Sequence, residues 1–183
     1  MRYSFLFSFF LITHSLSAQY DIVLKNGMIY DGTGTEAYRG DVAIRADTIA
    51  GIGDLSTAQA KKIIDVKGMA IAPGFINMLS WADGSLLKDG RSMSDIKQGV
   101  TMEVFGEGLS PGPRKKKNSN DTLWTTLGGY FKTLERKGVS TNFASFVGAT
   151  TVREYVLGYQ NRKPSPEELT KMKTLVEDAM KQG

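Results

Sequence analysis

The sequence predicts a mixed β and α/β fold, a small N-terminal β-sandwich followed by β/α units, and two changes of rhythm carry that prediction. From Tyr20 to about Pro73, short apolar runs alternate with turns rich in Gly, Asn and Asp at the close spacing of small antiparallel sheets. After Pro73, strand-like runs alternate with helical stretches. That order implies a parallel sheet with right-handed crossovers, wound into an open sheet or a barrel. The stretch from Gly74 to Gly183 is less than half of the roughly 250 residues that close a (β/α)8 barrel. Three segments follow: residues 1–18 as a targeting signal, 19–73 as the β-sandwich region, and 74–183 as the β/α region, which reads as cut off.

The first segment has the charge and hydropathy layout of a secretory leader. Arg2 supplies the positive start, Phe5 to Ile12 the apolar run, and Ser15-Leu16-Ser17-Ala18 the small residues that favour cleavage between Ala18 and Gln19. The apolar run is too short to span a bilayer, and no Cys follows it to carry a lipid. The expectation is an exported chain, periplasmic or secreted in a bacterium, with no stable membrane association after cleavage.

In the second segment, Asp21–Lys25 precedes Asn26-Gly27, which signals a hairpin into Met28-Ile29-Tyr30. Asp41–Arg45 alternates polar and apolar residues, Ala46-Asp47 turns, and Thr48–Gly53 returns. Ile63–Val66 and Met69–Ala72 bracket Lys67-Gly68. In the third segment, Gly74–Leu79, Val100–Phe105 and Asn142–Val147 read as strands. Ser92–Gln98 reads as a short helix, and Leu123–Lys137 as an amphipathic one on the spacing of Trp124, Leu127, Phe131 and Leu134. The last helix has the clearest start, with Ser165 as cap, Pro166 in the first turn and Glu168 closing a capping box. Leu169, Met172, Val176, Ala179 and Met180 form its apolar stripe.

Composition removes whole classes of chemistry. The chain of 183 residues has no Cys and one His, His14, inside the expected leader. Thiol nucleophiles, Cys-based zinc sites, iron–sulfur clusters and a Ser-His-Asp triad are therefore excluded for the mature residues. A net charge of +4 is too mild to point to nucleic acid.

Three segments together resemble the D-aminoacylase (N-acyl-D-amino-acid deacylase) family of the metal-dependent amidohydrolase superfamily. They are Tyr20–Gly34 with Arg39–Arg45 and Ile49–Asp54; Ile64-Asp65, Lys67-Gly68 and Ala72-Pro73-Gly74-Phe75-Ile76; and Gln98-Gly99-Val100-Thr101 running to Gly106-Glu107-Gly108. The resemblance implies a small β-sandwich domain and the first three β/α units of a truncated TIM (β/α)8 barrel. It also implies hydrolysis of a linear amide C–N bond, in an N-acyl-D-amino acid or an acylated dipeptide, by water that zinc or another divalent metal activates. The runner-up readings are an inactive amidohydrolase-like binding or scaffold protein, and a cyclic-amide hydrolase of the same superfamily.

Departures from the family pattern select the candidate residues. The family continues Pro-Gly-Phe-Ile-Asp-x-His-x-His, with both His on one face of the first barrel strand. Here Asn77 replaces the Asp, while Leu79 and Trp81 hold the His positions and cannot bind a metal. A ligand Cys that relatives carry after the second barrel strand is missing, and Glu107 is the carboxylate in that turn. Glu107 is therefore the metal-ligand candidate, against a solvated loop Glu. Trp81 is the substrate-contact candidate, against a rim or core aromatic. Glu103 is expected to face a helix edge or solvent, and Ser80 to point to the strand face opposite Trp81, with no base nearby to make it a nucleophile. Asp83 and Asp89 are expected in turns, Arg114–Lys117 in a solvated loop, and Asn120-Asp121-Thr122 is a glycosylation sequon. With no catalytic residue assigned, residues 1–183 alone are expected to hold no metal and to be inactive.

Overall fold

The computed structural model describes residues 19–121 and 123–182. The expected leader with His14, and Thr122 of the sequon, lie outside the described residues. The chain divides into two compact units at Pro73 and Gly74.

The first unit holds strands β1 (Tyr20–Ile29), β2 (Tyr38–Arg45), β3 (Thr48–Gly53), β4 (Ala60–Asp65) and β5 (Ala70–Ile71). They form one sheet in the order β3-β2-β1-β4, with β5 also paired to β1. The β2 and β3 pairings are antiparallel, but β4 and β5 run parallel to β1. Among the described residues this is a single mixed sheet, where the sequence suggests an antiparallel sandwich. Period-two alternation cannot tell a parallel neighbour from an antiparallel one, because both use the same face. Val23, Ile29, Val42 and Ala43 are buried, while Ile49, Ile52 and Ile63 remain about half exposed.

Asn26-Gly27 does not turn a hairpin, and β1 passes straight through it. The register steps from Leu24 opposite Val42 to Gly27 opposite Gly40, so one extra residue sits in β1. Asn26 takes the left-handed conformation, φ 64°, and its N–H is held by the Asp41 carboxylate at 2.9 Å. The Asn side chain donates to Asp65 at 3.1 Å, and a Cβ on Gly27 would overlap the Ile71 side chain. The same αL preference that marks a type I′ turn here builds a β-bulge.

The second unit runs β6 (Phe75–Asn77), α1 (Asp83–Lys88), α2 (Met93–Ile96), β7 (Val100–Phe105), α3 (Leu127–Lys137), β8 (Asn142–Ser145), α4 (Ala149–Leu157) and α5 (Pro166–Met180). Its sheet has the order β6-β7-β8, and both pairings are parallel. Leu86, Phe105, Tyr130 and Leu134 form the core between sheet and helices. Tyr130 meets Phe105 and Trp124 edge-on, with ring centroids 6.3 and 5.0 Å apart.

Strand β6 stops at Asn77, short of the expected Leu79, and four helices also differ from expectation. Asp83 opens helix α1 instead of sitting in a turn, as an acid in the first turn where the helix dipole favours it. Helix α3 begins at Leu127, because Thr126 caps it by accepting from the Gly129 N–H; Trp124 therefore lies in the preceding loop. Helix α4 has no counterpart in the sequence reading, since Thr150, Thr151 and Val152 are poor helix formers that packing overrides. Helix α5 has the capping box as expected, but of its stripe only Ala179 is buried, while Leu169, Val176 and Met180 are exposed.

Candidate functional site

Parallel β/α units place their functional groups at the C-terminal ends of the strands. Here the ends of β6 and β7 enclose a cavity of about 240 Å³, whose lining includes Leu79, Trp81, Asp83, Val104, Glu107 and Leu109. The two candidates, Trp81 and Glu107, therefore come together in one cavity. Trp81 is 69% exposed, and Glu107 is exposed in the turn after β7. Leu79 lines the same wall, with its N–H bonded to the Asn77 side chain at 3.2 Å. Among the described residues, the charged ones in the lining are Asp83 and Glu107, so these residues present negative potential to a ligand.

Gly106 makes this turn possible. It sits at φ 84°, and a Cβ there would overlap the Phe146 carbonyl oxygen and come within 2.5 Å of Ser145 Oγ. The strand can therefore bend toward Glu107 only with glycine at this position. A Cβ on Gly108 would meet nothing within 4 Å.

Behind the cavity lies a polar network that sequence reasoning misplaced. Glu103 is fully buried rather than facing solvent. Its carboxylate accepts from Ser80 Oγ at 2.7 Å, Ser92 Oγ at 2.7 Å and Thr141 Oγ1 at 3.0 Å. Ser80, also buried, thus has a carboxylate beside it after all. Strand parity held the signal, since Glu103 shares a face with the buried Phe105. Ser92 adopts the left-handed conformation, φ 44° and ψ 43°, which costs an L-residue about 1–2 kcal/mol; the bond to Glu103 helps hold it there. Burial raises the Tyr130 hydroxyl pKa, with the Asp83 and Glu103 charges adding to the effect. That hydroxyl donates to the Asp83 carbonyl at 2.8 Å.

The basic run after β7 is only partly a solvated loop. Arg114 pairs with the nearly buried Asp121 at 2.6 Å, donates to the Trp124 carbonyl at 2.9 Å and lies over the Trp124 ring. The Arg114 hydrogen bond is the main reason the Asp121 carboxyl stays far below the usual range. Lys115 sits over the Tyr155 ring. Asp89 does form the expected turn, accepting from the Arg91 N–H at 3.0 Å.

A divalent metal needs several donors around one point. Among the described residues no group of three or more His, Cys, Asp or Glu side chains could hold one. The strand end offers Glu107 with Asp83 lining the same cavity, and Leu79 and Trp81 are not donors. By themselves, these residues do not make a metal centre. No described helix is long and apolar enough to cross a membrane.

A β-rich first unit is followed by a unit of parallel β/α elements with a cavity at the strand ends, an architecture shared by many enzyme classes. No protein-family profile matches the chain. The D-aminoacylase of Alcaligenes xylosoxydans xylosoxydans is 34% identical over 94% of this chain and 38% of its own length. The N-acyl-D-glutamate deacylase of the same organism is 31% identical over 89% of this chain and 36% of its own length. A D-aminoacylase crystal structure superimposes with a TM-score of 0.80 at 31% identity, covering 90% of this chain and 37% of that one. The N-acyl-D-glutamate deacylase of Bordetella bronchiseptica, solved with zinc and a phosphonate inhibitor, gives 0.81 at 26% identity, over 88% of this chain and 36% of that one. The chain is a homologue of D-aminoacylase and of N-acyl-D-glutamate deacylase over most of its own length. It spans a little over a third of the length of the relatives it matches.

Proposed function

We propose that the protein containing this region hydrolyses the linear amide C–N bond of an N-acyl-D-amino acid or an acylated dipeptide. The observation that carries the reading is the meeting of Glu107 and Trp81 in one cavity at the strand ends, within a chain homologous to D-aminoacylases. In this proposal Glu107 supplies one ligand to zinc or another divalent metal, and Trp81 with Leu79 and Leu109 gives an apolar wall to the acyl group. Cavity charge supports both roles. Among the described residues, two carboxylates and no basic residue in the lining favour a cation there, and disfavour the substrate's own carboxylate. Residues 1–18 act as an export leader, cleaved between Ala18 and Gln19; N-terminal sequencing of the exported protein tests this, and an intact Met1 refutes it.

The deciding experiment is Glu107→Gln in the full-length protein, with metal content and turnover of N-acyl-D-amino acids measured on the same samples. The exchange keeps shape and loses charge. Metal content and turnover are expected to fall together by at least about tenfold, the low end of losses seen even for groups outside the coordination shell. Full metal occupancy in the variant overturns the ligand role, and activity lost with the metal retained assigns Glu107 to proton transfer instead.

A further inference from the structure

Glu103 is a buried carboxylate that the proposed chemistry does not use. A carboxylate buried without partners is strongly disfavoured, and an apolar residue of similar volume could fill the same space without that cost. Here the three hydroxyl donors compensate the burial, and every one comes from a different segment. Ser80 follows β6, Ser92 precedes α2 and Thr141 precedes β8. Of the three, Ser80 adjoins the strand-end cavity.

Ser80 is held by two successive residues of β7. Its N–H donates to the Val104 carbonyl at 2.9 Å, and its hydroxyl donates to Glu103 Oε2 at 2.7 Å. The same hydroxyl oxygen accepts from the Ala82 N–H at 3.1 Å, at the residue that leads into α1. Ser80 is 6% exposed, whereas its neighbours Leu79 and Trp81 are 52% and 69% exposed. β6 ends at Asn77, and the chain turns at Met78-Leu79 and runs through Ser80 into α1 with Ser80 on the inside and both its neighbours on the outside. Anchoring Ser80 inward therefore determines the direction in which Leu79 and Trp81 project.

We infer that Glu103 is a positioning residue: through the Ser80 hydroxyl it aims Leu79 and Trp81 at the strand-end cavity. A hydrogen bond to a charged group is worth enough to bias such a choice by roughly 10–100-fold, so the aimed arrangement dominates while the bond stands. Thr141 shares the carboxylate but not the cavity, which separates aiming from simple support of the fold.

Fluorine NMR of the full chain labelled with 5-fluorotryptophan tests this. The resonances of Trp81 and Trp124 are assigned by the one signal lost in each of Trp81→Phe and Trp124→Phe. Ser80→Ala removes the link to the cavity wall while leaving the Ser92 and Thr141 bonds, and it is expected to shift or broaden the Trp81 resonance with Trp124 unchanged. Glu103→Gln, which turns one acceptor into a donor, is expected to do the same if it folds, and Ser80→Ala decides if it does not. Thr141→Val is expected to lower stability and leave the Trp81 resonance in place. An unchanged Trp81 resonance in Ser80→Ala, or an equal shift in Thr141→Val, overturns the inference. The readout needs neither metal nor turnover, so it can fail or succeed independently of the proposed hydrolase activity.

Discussion

The two glycines that flank Glu107 make opposite predictions, although the sequence presents them as equivalents. Gly106→Ala places a side chain at φ 84°, which costs about 1–2 kcal/mol for an L-residue. The added Cβ also meets the Phe146 carbonyl oxygen and Ser145 Oγ. The first is backbone of the segment leaving β8, and cannot swing aside as a long side chain would. Overpacking of that kind adds roughly 1–3 kcal/mol, so the total is about 2–5 kcal/mol. That is a large part of the 5–15 kcal/mol that holds a typical domain together. Gly108→Ala meets nothing within 4 Å and carries no positive φ. It should change stability by less than about 0.5 kcal/mol, or stabilise slightly by restricting the unfolded chain. Urea unfolding of both variants beside the parent, followed by far-ultraviolet circular dichroism, measures the difference. If Gly106→Ala is no more harmful than Gly108→Ala, the close approach of the β7 turn to β8 is not as described.

Other consequences are checked with similar means. Leu134→Ala, at a position with no exposure between sheet and helices, should lose about 2–5 kcal/mol in denaturant melts, the usual range for a large-to-small change in a core. Ser165→Ala removes the hydroxyl that accepts from the Glu168 N–H and should cost about 1 kcal/mol, with the loss in helix signal confined to α5. Chiefly through the Arg162 hydrogen bond, and also through the Ser165 N–H, the Glu168 carboxyl is lowered from the ordinary 4.5 to about 2. A depressed folded value means its stabilising share is complete above about pH 4.5 and disappears as the pH falls through about 2. Carbon NMR titration of the Glu168 carboxyl should show that low midpoint, and a midpoint near 4.5 would contradict the pairing.

Much of the strand content was legible because its signal is local. Thr48–Gly53 and Val100–Phe105 match strands residue for residue, and the Ser165 capping box is a short pattern with a direct geometric meaning. What escaped was non-local. Asn26-Gly27 announces left-handed backbone correctly, but whether that makes a turn or a bulge depends on Asp41 and Asp65, which lie 15 and 39 residues away. Alternation along the strand points Glu103 to a helix edge or solvent, yet it is buried, because three hydroxyl partners from distant segments compensate its charge. The strip along α5 obeyed helical spacing, yet spacing says which residues share a face and not whether anything covers it. For the candidate site, Trp81 and Glu107 were chosen separately, from departures on two different strands, and the parallel pairing of β6 with β7 is what puts them in one cavity.

The pairing of β1 has a consequence for how the first unit assembles. This strand is the shared partner of β2, β4 and β5, so three of the sheet's four pairings depend on it and only the β2–β3 hairpin can form without it. As the chain emerges, from the ribosome or after export, β1 comes before its partners and then waits. The β2–β3 hairpin closes locally, whereas the parallel partners must return across the intervening chain, a slower search that local turns cannot speed. Until Ala60–Asp65 and Ala70–Ile71 arrive, one edge of β1 is an unpaired template open to other chains. Anything that binds this edge during synthesis, a chaperone or a second nascent chain, would compete directly with completion of the sheet.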